Sequence, residues 1–428
     1  MNRATRKTRL PIVVLACSLP LTVRAQALPE VPPATIGLST AAVRALDSLV
    51  ARYTAPDRFP ALMLMVARNG RIGYWKAAGV RDLARGDPIE RNDVFRVYSI
   101  TKPITATAIM MLWEEGKLRL DDPVEKYLPP FRRLRVYAGP GTTRAPVRPL
   151  TIRHLLTFSA GMTYGTAGVR TGADSLLARA DLFASASSLD DLMQRLADLP
   201  LIADPGDSLS YGFQTDVLGK VVEVASGMPL DRFFHDRIFS RLRMMETGFQ
   251  LQASQASRFP TLYRVEAGVP PRPSDPGDAT STWALPLADR KQSRFLSGGG
   301  GLVSTPADYI RFLQMIANRG ELDGVRLLNP ATVDTMTAAH RRDKSLRIAS
   351  VVGPGWATGF QLMVAPDIGV AGGGGHDGLY WMSGAANLFV WVDPASNVAG
   401  MVWMQTLSDR VLPIFEDTRR LVHSVMKD

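Results

Sequence analysis

Apolar residues recur at helical spacing in TAAVRALDSLVARYTA, where Val43, Leu46, Leu49 and Val50 mark one face from Thr40 onward, and this predicts an amphipathic helix. Two apolar runs then flank Asn69-Gly70 in ALMLMVARNGRIGYWKAAGV, a strong hairpin signal that predicts two antiparallel strands. The next helical pattern opens near Ser99 and runs to Gly116. Its positions Ile104, Ala108, Met111 and Leu112 face a core, and Gly116 suits its C-terminal cap. From Leu118 to Lys291 short helical patterns, turns and prolines follow with little strand signal, and Ala267 to Trp283 reads as an exposed loop. SGGGGLVSTPADYIRFLQMIANRGELDG then gives a glycine-rich turn, a Ser304/Thr305 cap with Pro306 in the first helical turn, and a helix ending at Gly320.

Strand signals return in GLYWMSGAANLFVWVDP and NVAGMVWMQ, joined across Asp393-Pro394, and an amphipathic helix marked by Ile414, Leu421 and Val425 follows. This order predicts an α/β (α+β) fold: a mixed, mainly antiparallel sheet flanked by helices and built from both chain ends, with a helical domain inserted. Residues 28–98 and 292–428 are expected to form the two parts of the sheet domain, and residues 99–291 the helical domain. No internal repeat is present.

At 428 residues, 46% hydrophobic and 21% charged, the chain has enough apolar material for one large core or two smaller ones. Arg3, Arg6, Lys7 and Arg9 precede an apolar run that ends near Ala25-Gln26-Ala27, so residues 1–27 read as a signal peptide and the protein as exported, periplasmic or secreted. A membrane anchor is the alternative, but Pro11, Pro20 and Arg24 interrupt a run already short of the roughly 20 apolar residues a span needs. The only cysteine, Cys17, lies in that segment; Val14-Leu15-Ala16-Cys17 offers a weaker lipoprotein alternative, with the apolar run continuing past it.

Five basic residues of this leader contribute to the formal charge of +10, which leaves +5 for the remainder. No clustered Lys and Arg interleave with aromatics, so no nucleic-acid partner is expected. None of the five histidines, His154, His235, His340, His376 and His423, has a partner at metal-ligand spacing, so neither metal nor cofactor is expected.

Ser99-Ile100-Thr101-Lys102 sets a hydroxyl and an amine three residues apart at a helix start, where both share one face. A serine hydroxyl needs a base, and a lysine serves as one only where desolvation or nearby positive charge lowers its pKa. Pro103 keeps Ser99 near the helix N-terminus, where unpaired N–H groups and the dipole favour developing negative charge. Taken alone, the same residues fit a capping serine beside a solvated lysine.

Their company narrows the reading. VYSITKPITATAIMMLWEEGKLRLDDPVEKYLP, TIRHLLTFSAGMTYG, SYGFQTDVLGKVVEVASGMPL and GGGGLVSTPADYIRFLQM occur in the order found in the serine β-lactamase family, which the chain resembles over most of its length beyond the leader. That family includes class C β-lactamases, penicillin-binding proteins and family VIII carboxylesterases. The resemblance implies a β-lactamase/transpeptidase-like fold, Ser99 as nucleophile, Lys102 as proton acceptor and Tyr211 as a proton relay whose pKa the ammonium lowers. It also implies that the edge-strand motif is Met382-Ser383-Gly384, that Gly384 lets substrate approach the backbone, and that the N–H groups of Ser99 and Ala385 form the oxyanion hole. A tyrosine that anchors a loop and a plain core strand are the bland alternatives.

By the same resemblance Phe213, Met382, Ser383, Gly384 and His376 are expected to bind substrate, and two departures weigh on which substrate that is. The Asn or Ser expected two residues after the tyrosine is Phe213, and Met382 offers no positive charge for a β-lactam carboxylate, so ester substrates are favoured. Gly372-Gly373-Gly374-Gly375-His376-Asp377 lacks a phosphate-loop Lys-Ser/Thr and is expected at the site rim, where His376 either touches substrate or simply belongs to a turn. No G-x-S-x-G elbow is present; Gly37-Leu38-Ser39-Thr40-Ala41 comes nearest and reads as a helix cap.

The expected protein is therefore a serine hydrolase with an acyl-enzyme, acting on a small-molecule ester or amide and first of all on small carboxylic esters. β-Lactams, D-amino-acid peptides and acyl transfer are alternatives on the same machinery. A non-catalytic penicillin- or cell-wall-binding protein is the reading from a different class. Loops Thr163 to Arg179 and Ala267 to Trp283 are expected near the pocket.

Overall fold

A computed structural model describes residues 27–55, 58–165, 172–266, 268–274, 296–341, 355–408 and 413–426. The leader apart from Ala27, and with it Cys17, lies outside them, as do residues 166–171, 267 and 275–283 of the two expected loops.

The expected hairpin forms from β1 (Ala61–Arg68) and β2 (Arg71–Asp82), with Asn69 and Gly70 at φ 52° and 75°, the left-handed pair that a tight turn between twisted strands requires. The short strand β3 (Asp87–Pro88) borders β2. From the C-terminal part come β4 (Ala357–Thr358), β5 (Met363–Ala365), β6 (Leu379–Gly384), β7 (Leu388–Asp393) and β8 (Val398–Trp403). They join as one eight-stranded sheet in the order β4-β5-β6-β7-β8-β1-β2-β3. The two chain ends meet at β1 and β8, in register from Met63 opposite Trp403 to Arg68 opposite Val398. Every pairing between the strands of this sheet is antiparallel; the parallel contacts are a two-residue pairing of Thr406–Leu407 with Tyr263–Glu266 in a separate small sheet and the isolated bridges Glu30–Ile72 and Val136–Leu201.

Both faces of the sheet are covered, which is why its strands read as apolar runs rather than as an alternation. On one face Leu62, Leu64, Val66, Trp391 and Val402 pack with Leu46 and Val50 of α1 (Thr40–Tyr53) and with Phe415 of a C-terminal helix. The other face, with Met63, Met65, Val390 and Met401, packs with Ile104 of α2 (Lys102–Glu114), Val217 of α3 (Gln214–Ser226) and Phe312 of α4 (Pro306–Ala317). The C-terminal helix is α5 (Ile414–Val425). Ser39 caps α1 by accepting from Ala42 N–H at 3.1 Å, and Thr305 caps α4 by accepting from Asp308 N–H at 3.2 Å, with Pro306 next.

Two local expectations change. The element at Ser99 is a single 3-10 turn, Tyr98–Thr101, that feeds α2, and α2 is buried on all sides from Lys102 to Leu112 rather than along one stripe. It runs between the sheet face and α3, so no flank meets solvent until Trp113, and Gly116 at φ 69° closes its end. The start of the expected loop at Ala267 contains a strand, Val269–Pro273, paired with Tyr263–Glu266. Its prolines fit because it is an exposed edge strand, where a missing N–H costs no ladder bond.

Candidate active site

The short strand Phe95–Arg96, paired with Val303–Ser304, delivers the chain to a tight bend in which Tyr98 adopts φ 46°. That left-handed state is rare for a bulky residue and persists here because Tyr98 is enclosed by the core. The bend projects Ser99 at the mouth of α2, only 8% exposed. Lys102, one turn on, donates from Nζ to Ser99 Oγ at 3.2 Å, and the hydroxyl of Tyr211 donates to the same oxygen at 2.7 Å. Two side chains from different segments therefore converge on the Ser99 oxygen.

Lys102 is fully enclosed. Its Nζ also donates to the Gly299 carbonyl at 2.6 Å and to the Tyr164 hydroxyl at 3.3 Å, and it sits 4.7 Å from the centre of the Tyr211 ring. Burial drives its pKa from 10.5 down to about 7, against an opposing pull from the Asp216 carboxylate. At neutral pH a large share of the amine is thus unprotonated and able to take a proton.

Tyr211 departs from its expected electrostatics. Burial pushes its phenol well up from its ordinary value, and this outweighs the hydrogen bond to Ser99, so the group stays protonated near neutrality instead of becoming a phenolate. It can pass a proton only as a hydroxyl that donates and receives together. Phe158, itself at φ 56°, stacks on it at 5.6 Å, and Tyr164 meets it edge-on at the same distance, which fixes its ring.

Three contributors escaped the sequence reading. Asp216, fully buried on α3, accepts from Ser297 Oγ at 2.5 Å and from Gly299 N–H at 3.2 Å, so it holds the residue whose carbonyl accepts from Lys102. Its own pKa is raised by burial. Gly299 must be glycine, since a Cβ there would lie 2.9 Å from Asp216 Oδ2 and 3.1 Å from the Tyr164 hydroxyl. Tyr164 is the last but one residue of the TIRHLLTFSAGMTYG segment, and its hydroxyl reaches Lys102. The available signals were an acid inside an apolar helix and a glycine cluster followed by no phosphate-loop lysine.

Residues 46–422 match the Beta-lactamase family. The chain belongs to that family. Protein Rv1367c of Mycobacterium tuberculosis is 32% identical over 357 residues, covering 81% of this chain and 85% of the relative. Esterase EstB of Burkholderia gladioli is 30% identical over 387 residues, covering 87% and 93%. Among solved structures, EstCE1, described as a hydrolase with promiscuous acyltransferase activity, superposes with a TM-score of 0.74 at 25% identity, covering 90% of this chain and 98% of that one.

The Beta-lactamase family resemblance also assigned substrate contacts, and several of these take other positions. Phe213 is 2% exposed and packs its ring against Tyr164 at 4.8 Å and Phe183 at 4.7 Å, so it buttresses the tyrosine instead of meeting substrate. Met382 is buried in an apolar pocket with Pro103, Phe312, Leu313 and Met336, because its place in β6 points it into the core beneath α2. Ser383, partly exposed, lies on the opposite face of β6. Gly384 permits a close approach, but of the chain to itself: a Cβ there would stand 2.6 Å from the Val97 carbonyl. That contact seats the end of β6 beside the Ser99 bend.

His376 is not at the site. It precedes β6 at the end opposite Gly384, about 17 Å away at the rise of a strand, and bonds Asp393 Oδ2 at 2.7 Å beside α5. The glycine run before it packs on α5, where Arg419 donates to the carbonyls of Gly373 and Gly374. Among the described residues no group of three or more His, Asp or Glu side chains is placed to hold a metal ion, and no helix is long and apolar enough to cross a membrane.

Proposed function

We propose that this serine hydrolase is a carboxylesterase that cleaves small esters through an acyl-enzyme on Ser99. The observation that carries the reading is the Ser99 oxygen held between the enclosed Lys102 amine, whose pKa burial lowers to about 7, and the Tyr211 hydroxyl. Ser99 Oγ attacks the ester carbonyl carbon as its proton passes to Lys102 Nζ, and the N–H groups of Ser99 and Ala385 receive the oxyanion. Collapse breaks the bond to the alcohol oxygen, which takes the Tyr211 proton while Tyr211 regains one from the Lys102 ammonium. Water then attacks the acyl carbon and gives its proton to the same relay, and as the bond to Ser99 Oγ breaks the relay returns that proton to Oγ and the acid leaves.

Esters are favoured over β-lactams because Met382 is in the core and brings no cation to the site. The printed names of Esterase EstB and EstCE1 support the same choice, and EstCE1 also supports acyl transfer to an alcohol as a second fate of the acyl-enzyme. Export through residues 1–27 belongs to this proposal and rests on their basic-then-apolar pattern.

With p-nitrophenyl butyrate, a burst of p-nitrophenol approaching one equivalent is expected, together with a butyryl adduct on the peptide that contains Ser99, read by mass spectrometry. An adduct on another residue, or no adduct with turnover confined to a chromogenic cephalosporin, overturns the reading.

The rate of acylation should rise with pH through about 7 as Lys102 loses its proton. Asp216→Asn keeps acceptors for Ser297 and Gly299 but removes the one charge that props up the lysine pKa, so the acid limb moves to lower pH. A pH profile of kcat/KM in which the limb stays or moves up would contradict this role for Asp216.

A further inference from the structure

The two N–H groups assigned to the oxyanion hole belong to chain segments far apart in sequence, so something must set their spacing. Gln405 and Thr406, just past the end of β8, run between those segments. The Thr406 N–H donates to the Ala386 carbonyl at 3.1 Å, and the Thr406 carbonyl accepts from Asn387 Nδ2 at 2.7 Å, so both backbone polar groups of one residue grip the β6–β7 turn that carries Ala385.

The neighbouring side chain grips the other segment. Gln405 Oε1 accepts from the Arg96 N–H at 3.2 Å and from Arg96 Nη1 at 3.2 Å, while Nε2 donates to the Arg96 carbonyl at 3.1 Å. A side-chain amide thus pairs with the Arg96 peptide as a neighbouring strand would, three residues before Ser99. All four residues, Arg96, Asn387, Gln405 and Thr406, are buried, so these bonds work without competition from water. Asn387 holds φ 58°, a left-handed state that asparagine and glycine accept more readily than other residues, and this aims its amide at Thr406.

We propose that Asn387 and Gln405 are positioning residues that fix the distance between the Ala385 N–H and the Ser99 N–H, and so set the strength of the oxyanion hole. The inference rests on the acyl-enzyme reading and on those two donors. Hydrogen-bond catalysis of this kind tolerates little displacement: losing one donor costs about 100- to 1000-fold in rate, and a misplacement of about 1 Å costs about 100-fold.

Asn387→Gly and Asn387→Asp both retain access to the left-handed backbone, and neither side chain can donate to the Thr406 carbonyl. Each variant is expected to lower kcat/KM for p-nitrophenyl butyrate by about 10- to 100-fold. The Ki of phenylboronic acid, whose tetrahedral adduct on Ser99 places an oxygen in the hole, is expected to rise by a similar factor, while the lost buried bond lowers the melting temperature by no more than a few degrees and leaves both variants folded at the assay temperature. A merely structural role would move the melting temperature and leave the boronate Ki in place, and that result overturns the proposal. So does wild-type turnover with both variants within twofold of it. A wild type that neither turns over the ester nor binds the boronate overturns the hydrolase reading, and this inference with it.

Discussion

Ser99→Ala lowers kcat/KM for p-nitrophenyl esters by at least about 10⁴-fold and leaves the protein no less stable than the wild type. The loss follows from removing the atom on which Lys102 and Tyr211 converge: without it the remaining donors can only polarise a carbonyl toward water, and groups that act as a unit leave little behind once one is gone. The stability half of the prediction is the sharper test of a functional residue. Ser99 occupies a bend whose preceding residue is left-handed and whose neighbours are an enclosed amine and a high-pKa phenol, an arrangement suited to reaction more than to packing. Alanine gives up only the hydroxyl oxygen and keeps the Cβ, Lys102 keeps its bond to the Gly299 carbonyl, and part-exposed Tyr211 stays wedged between Phe158 and Tyr164. Chemical denaturation alongside single-turnover kinetics at high enzyme concentration checks both halves. Retention of more than a tenth of the wild-type rate, or a loss of fold that accounts for the missing activity, would remove Ser99 from the nucleophile's place.

The elements that were legible in the sequence share one property: their signals are local. Asn69-Gly70 demands its left-handed turn whatever surrounds it, and Ser39 and Thr305 cap their helices through bonds that span three residues. Ser99 and Lys102 likewise meet because a helix start fixes their separation. What stayed hidden depends on which segments the fold brings together. Nothing in SGGGGL says that one carbonyl will face Lys102 and the adjoining N–H will face Asp216. Period-two alternation assigns Met382 and Ser383 to opposite faces of β6, but only the covering helix decides that Met382 meets Pro103 rather than a ligand. His376 misled for a related reason. A glycine run next to a histidine and an aspartate looks like a site rim, whereas these glycines let α5 approach closely enough for Arg419 to reach their carbonyls. The sign of the Tyr211 shift was missed because proximity to an ammonium was visible from the family likeness, while the enclosure that outweighs it required the packed structure.

Lys102→Met should lower kcat/KM by about 10³- to 10⁴-fold and at the same time make the protein more resistant to unfolding on the acid side of neutrality. The kinetic loss is that of the proton acceptor, since no other side chain hydrogen-bonded to Ser99 both ionises near neutrality and lies within the enclosed site. The stability gain comes from the sign of the lysine's shift. Its pKa is depressed from 10.5 in the open chain to about 7 in the folded protein, so between those values the unfolded state carries a proton that the folded state lacks. Stability from this group therefore climbs as pH rises through that window. Below about 7 both states are protonated and the folded protein bears the full burden of an enclosed cation. Methionine has nearly the same length, packs without charge, and abolishes that titration. The difference in unfolding free energy, variant minus wild type, should thus be greatest below pH 7 and shrink steadily toward pH 10, a slope that a general packing change would not produce. Asp216 faces the same amine and loses its counter-charge in the variant, but its burial already favours the neutral acid, so it can take up a proton in place of the lost ion pair. A variant that is uniformly less stable at all pH values, or that keeps its esterase activity, would show that the amine is a structural tie to Gly299 and not the base.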